Sequence, residues 1–213
     1  MPLGLEIPTG LVFSSKNFRL SHKQQITGQG GGFLQTIDRA TPMWLADYAT
    51  PPLRGDRYNA AIEFLMRLEG SIETFLAFDP RRPMPYNYRT ATVGSNPLGT
   101  VTTTSYNAST GALGLASGSV NTAPGFVAGD YLSMKIGNIW YLFRVAIGAN
   151  LSGQQATVIV RPRLPITIPN GTVVRYQKAC AEMKMIGGFK EDDAVESLPT
   201  ISFRAAQFIN RAT

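Results

Sequence analysis

Between residues 130 and 176 the chain alternates short apolar runs with turn residues. Residues 131–136 (YLSMKI) are apolar and β-prone, and Gly137-Asn138 is a turn dipeptide. Residues 139–145 (IWYLFRV) are dense in β-branched and aromatic side chains. Residues 148–153 predict a second turn, 156–160 (ATVIV) a third strand, Asn170-Gly171 a third turn and 172–176 (TVVRY) a last strand. Strands this short cannot each bury a face alone, so they must pair and curl into a sandwich or barrel. No catalytic residue type stands out among them, so function is expected from a surface rather than a cleft. Tyr141, Phe143, Val145 and Ile147 predict the core stripe of the central strand. Trp140, Leu142 and Arg144 then occupy its other face.

The first third mixes strands with one helix. Residues 18–27 predict a strand polar enough for a sheet edge, and residues 28–32 (GQGGG) a mobile joint. Residues 33–41 alternate, with Phe33, Gln35, Ile37 and Arg39 on one face and Leu34, Thr36, Asp38 and Ala40 on the other. Pro42 predicts a bend before a second extended run at 43–50. Asp56 is placed to cap a helix whose apolar face carries Tyr58, Ala61, Ile62, Leu65 and Met66, ending at Gly70. A buried strand is expected at 72–78 (IETFLAF).

From Thr90 to Gly129 the chain carries no charged residue. Strong β-propensity at 100–106 and a Ser109-Thr110-Gly111 turn before 113–116 predict a hairpin there. Residues 181–186 predict another strand, broken by Gly187-Gly188, followed by a polar loop at 191–196 (EDDAVE). The last strand, 201–209, buries Ile201, Phe203 and Ala205. A terminal strand of this kind returns to a sheet begun earlier. The expected organisation is therefore a discontinuous domain, 1–83 and 179–213, with residues 84–178 inserted into it.

Composition narrows the function classes. Charged residues make up 16% of the chain, below the roughly 25% of soluble domains, which suits a loop-rich β-protein that buries surface against neighbours. The net charge is +6. The basic residues are dispersed, densest at Arg81-Arg82 and Arg161-Arg163, with no recognisable nucleic-acid module around them. Sequence-specific nucleic-acid binding is not expected. One cysteine, Cys180, leaves no disulfide within the chain. No signal peptide and no apolar run of membrane-spanning length is read from the sequence, and the expected setting is a reducing cytosol.

Candidate chemistry is thin. A catalytic triad would have to be built on His22, the only histidine, which lies on a polar strand and reads as solvent-facing. One His and one Cys cannot furnish a four-ligand zinc site, and the acidic run 191–196 lacks the spacing of a calcium loop. The sequence implies no enzyme, no cofactor and no metal. Interaction residues are better placed: Arg39, Arg54, Asp56 and Arg57 flank a proline-rich loop and suit contacts between subunits, with Trp44 nearby. Trp140 is the candidate contact of the inserted domain.

Four segments carry a family resemblance: PMWLADYATPPL (42–53), NAAIEFLMRLEGSIETFLAFDP (59–80), GDYLSMKIGNIWYLFRVAIGANLSGQQATVIVRPRL (129–164) and NGTVVRYQKACAEMKM (170–185). Their order and spacing over residues 33–186 resemble distal tail proteins of long-tailed bacteriophages. The resemblance implies a mainly β protein: a β-sandwich ring domain with one α-helix, carrying an OB-like or galectin-like β-barrel. It implies a homohexameric ring in the virion tail, assembled in the host cytoplasm. The ring joins the tail tube protein to the tip hub protein, beside the tape measure protein, and surrounds the DNA channel. Two alternatives stand beside it: a carbohydrate-binding β-module stacking sugars on Trp140 or Trp44, and another ring-forming tail protein such as a tube or terminator subunit.

Overall fold

The computed structural model describes residues 5–8, 11, 13–28, 34–118, 120, 122–192 and 198–208. In chain order the elements are β1 (Leu5–Glu6), β2 (Ser14–Gly28), β3 (Leu34–Ala49), α1 (Asp56–Arg67), β4 (Phe75–Phe78), β5 (Val101–Asn107), β6 (Ala112–Ser117), β7 (Thr122–Phe126), β8 (Tyr131–Ile136), β9 (Ile139–Ile147), β10 (Ala149–Ser152), β11 (Gln155–Arg161), β12 (Val173–Arg175), β13 (Cys180–Asp192) and β14 (Thr200–Gln207). The protein is mainly β, with one α-helix among the described residues.

Six strands form a mixed sheet in the order β1-β4-β13-β14-β3-β2. Only the β1–β4 pairing is parallel. The alternation read in the last strand is the reason β14 belongs here: Ile201, Phe203 and Ala205 are buried on one face. Helix α1 covers that face with Ala61, Phe64 and Leu65. An aromatic cluster fills the space between, with Tyr48 stacked on Phe203 at 5.3 Å and Phe64 edge-on to Phe75 at 5.9 Å. Each such pair adds about 0.5–1.5 kcal/mol beyond the area it buries.

The second unit is closed. Strands follow in the order β6-β5-β12-β8-β9-β11, and β11 pairs again with β6, making a six-stranded barrel. Closure removes the open edges of these six strands. Its interior holds Leu113, Leu115, Leu132, Met134, Phe143, Val158 and Val160, all fully buried. Strands β10 and β7 extend the sheet from β11.

Strands β8 and β9 are buried on both faces, which fixes how the two units meet. Leu132, Met134, Tyr141 and Phe143 point into the barrel, whereas Tyr131 and Leu142 enter the core of the mixed sheet. Polar ties run across the same seam. Trp44 Nε1 donates to the Leu142 carbonyl at 2.8 Å, and the Cys180 N–H donates to Ser133 Oγ at 3.1 Å. The Glu182 carboxylate accepts from Thr74 Oγ1 at 2.7 Å and from the Trp140 N–H at 3.4 Å.

Several expectations need correction. Asp56 is not the helix cap: Gly55 holds that position, with φ 50, and no side chain caps the helix. Asp56 is the first helical residue, where its charge faces the positive end of the dipole. Pro42 does not end the strand: β3 runs through it, with register shifts between Ser21 and Lys23 and between Lys23 and Gln24 on the facing strand. Gly187 and Gly188 likewise sit inside β13. Both adopt positive φ, 73 and 75, in a bulge between Ile186 and Phe189. Residues 149–152, expected as turn, form β10, and Ile147 is exposed rather than core. The strand expected from residue 72 begins at Phe75, leaving Ile72 exposed. Glu191 and Asp192 belong to β13, while the rest of the expected polar loop lies outside the described residues, as does most of the expected joint at 28–32.

Candidate functional site

The mixed sheet does not stop where its core stops. Strand β14 pairs with β3 only from Leu45 to Ala49, yet β2 and β3 stay paired outward to Gly28 and Leu34. The two strands therefore project as an arm of eight residue steps or so, roughly 25 Å at strand rise. Residues 22–28 and 34–40 are exposed throughout. Among the described residues, the outer edge of β2 and the outer edge of β3 beyond Leu45 have no strand beside them. Such edges present rows of unpaired N–H and C=O groups, a template for another chain.

The arm's side chains follow from its register. Ile26 lies opposite Thr36, and Gly28 opposite Leu34, so Ile26 and Leu34 are diagonal neighbours on one face. They are 63% and 75% exposed. Ile37, opposite Gln25, stands on the other face and is also exposed. Cross-strand polar pairs link the two strands: Gln24 Nε2 donates to Asp38 Oδ1 at 2.7 Å, and the Arg39 guanidinium donates to Gln25 Oε1.

The arm's root has an incomplete hydrogen-bond set. Where β14 ends, the Gln207 side chain substitutes for strand backbone, its Oε1 accepting from the Trp44 N–H at 3.3 Å. Its other amide atom, Nε2, is buried without an acceptor, at a residue only 5% exposed. A buried donor left unpaired costs about 1–3 kcal/mol. This one stands where the free edge of β3 begins. Beside the root, an open hollow of about 570 Å³ separates Arg39 and Pro42 of the arm from Ser109, Arg163 and Pro165 of the barrel.

The sequence-derived contact residues fall in three places. Arg39 is exposed on the arm. Arg54, Asp56 and Arg57 are exposed at the start of α1, and none of them forms an ion pair among the described residues. Trp44 is 2% exposed, which corrects its reading as a surface contact. Its indole lies 5.6 Å from Phe18 and 5.7 Å from Tyr131, because the outward alternation of the arm turns inward at its root. Trp140 is half-buried at the seam, with the Arg175 guanidinium 5.7 Å over its ring. Sequence reasoning missed Ile26, Leu34 and Gln207; the diagonal pairing of the first two requires the register of the hairpin.

His22 is exposed on β2, and no group of three His, Cys, Asp or Glu suited to a metal occurs among the described residues. Burial pushes the Cys180 thiol up to about 11, and the residue is 1% exposed. Native protein is accordingly expected to resist thiol reagents at mildly alkaline pH and to react with one equivalent once unfolded in urea. Fast stoichiometric labelling of the native chain would refute that placement. No described helix is long and apolar enough to cross a membrane. No protein-family model matches the chain, and no curated protein matches it.

Proposed function

We propose that this chain is a structural subunit of a phage tail, a distal tail protein that assembles into a ring between tube and tip hub around the DNA channel. The observation that carries the reading is the arm, with its two open edges and exposed Ile26 and Leu34. The edges differ: one belongs to β2, the other to β3 beyond Leu45. Pairing the β2 edge of one copy with the β3 edge of the next is a heterologous contact, and repeating it with the right rotation closes a ring.

A mainly β fold with a closed six-stranded barrel is compatible with this reading. The helix-backed mixed sheet takes the part of the β-sandwich ring domain, residues 1–83 and 179–213. The closed barrel takes the part of the OB-like or galectin-like insertion, residues 84–178, and no catalytic role is assigned. The carbohydrate-binding alternative has less support, since Trp44 is buried and Arg175 lies over Trp140. A tube or terminator subunit would use the same arm and differ only in its place in the particle.

Light scattering and negative-stain microscopy at rising protein concentration test the proposal. The expected particle is a closed ring of six copies, formed alone or on adding tube or hub protein. A strictly monomeric chain under all these conditions overturns it.

A further inference from the structure

The two densest basic spots of the sequence, Arg81-Arg82 and Arg161-Arg163, lie some eighty residues apart and meet at one end of the barrel. The row begins at Gly129, where an added Cβ would stand 2.6 Å from Arg82 Nη1 and 3.6 Å from Arg144 Nη2. Both guanidinium groups thus reach the same point. Across the next pairing, Arg144 stands directly opposite Arg161. At the far side, an added Cβ at Gly111 would meet Arg161 Nη1 at 2.7 Å and Arg163 Cγ at 3.5 Å. The row crosses β9 and β11 at strand spacing, about 4.8 Å per step.

Its charge is only partly balanced within the protomer. None of Arg82, Arg144, Arg161 and Arg163 forms a salt bridge among the described residues. Asp79 holds Arg81 at 3.0 Å, and Asp130, whose carboxylate accepts the N–H groups of Tyr86 and Val127 at 2.9 Å, faces Arg82 and offsets part of its charge; no carboxylate is paired with Arg144, Arg161 or Arg163 among the described residues. Like charges directly opposite in a sheet are destabilising, so the Arg144–Arg161 pair is a placement that folding alone does not reward. Backbone carbonyls nevertheless hold two of the guanidinium groups in position. Arg82 donates to Gly129 O at 2.9 Å, and Arg161 to Val160 O at 2.9 Å. Donors fixed in advance lose less freedom on meeting an anion.

We propose that this end of the barrel binds the phosphate backbone of a nucleic acid, independently of base sequence. Guanidinium forks match phosphate oxygens. An acidic protein partner fits less well, because protein interfaces centre on exposed apolar or aromatic anchors. Here the residues between the arginines are Gly111, Gly129 and the buried Tyr131. Beside the row, the Arg89 guanidinium lies 4.6 Å over the exposed Tyr86 ring and adds a further cation to this surface. The proposal concerns the single chain and does not depend on ring formation.

Fluorescence anisotropy of the full chain with labelled single-stranded and duplex DNA tests it. Three to four phosphate contacts predict affinity falling by about 40- to 150-fold as salt rises from about 50 to about 200 mM. Arg144→Ala with Arg163→Ala, two exposed residues that form no salt bridge among the described residues, should weaken binding at least about tenfold at low salt and flatten the salt slope by nearly two units. Arg67→Ala on α1 should leave binding within about twofold, and circular dichroism confirms that each variant is folded. Three outcomes overturn the proposal: no binding at low salt, binding unchanged in the double variant, or polyglutamate of equal charge competing as well as DNA.

Discussion

Trp44→Ala should lower the unfolding free energy by about 3–5 kcal/mol, the range for a large aromatic removed from a core. The side chain is 2% exposed and sits among Phe18 and Tyr131, so the vacated space borders both β2 and β8. Trp44→Phe separates packing from polarity. It keeps most of the ring contacts but withdraws the indole N–H from the Leu142 carbonyl, at a cost of about 1–3 kcal/mol for a buried acceptor left alone. Urea titration followed by Trp140 fluorescence reads both variants. A loss below about 1 kcal/mol for Trp44→Ala would mean that this side chain does not join the mixed sheet to the barrel.

The second large effect falls on assembly and spares folding. Ile26→Lys with Leu34→Lys puts two like charges on the exposed face of the arm. Neither residue touches the core, so thermal or urea stability should stay within about 0.5 kcal/mol of the parent. Burying those ammonium groups between strands of adjoining copies is costly, and rings should be absent at concentrations where the parent chain forms them. Rings that persist in the double variant would remove the arm from the contact. Circular dichroism of the variant checks that it is folded, as the exposure of both positions leads us to expect.

How much of this was legible in the residues depends on how local each signal is. The β8–β9 hairpin was readable because Gly137-Asn138 falls between two dense apolar runs, and the structure pairs Ile136 with Ile139 across it. The β5–β6 hairpin and the buried face of β14 were readable for the same reason. Strand β7 was not: its sequence, TAPGF, carries a proline and a glycine, and it is held by pairing with β10 rather than by its own propensity. Strand β10 hides equally well in ANLS. Both faces of β9 are apolar, which announced a second burial but not its partner; only the tertiary fold brings Leu142 to Trp44. The arm was half legible. Polarity placed β2 at an edge, but the absence of β14 beside residues 34–44 is a matter of strand lengths far apart in the chain. The arginine row was invisible for the same reason, since Arg82, Arg144 and Arg161 become neighbours only once the barrel closes.

The position of β13 and β14 in the chain has a consequence for biosynthesis. All six strands of the barrel precede residue 180, whereas the mixed sheet lacks its two central strands until Gln207 has been added. On the ribosome the barrel segment is therefore complete first, and β3 and β4 each wait for a missing neighbour, β14 and β13, while about thirty more residues are translated, a delay of seconds at ordinary elongation rates. During that interval the apolar faces of Trp44, Tyr48 and Phe75 lack their β13–β14 cover. Nascent chains are thus most vulnerable to premature association in the interval before β13 and β14 emerge, when a closed barrel is tethered to an unfinished sheet.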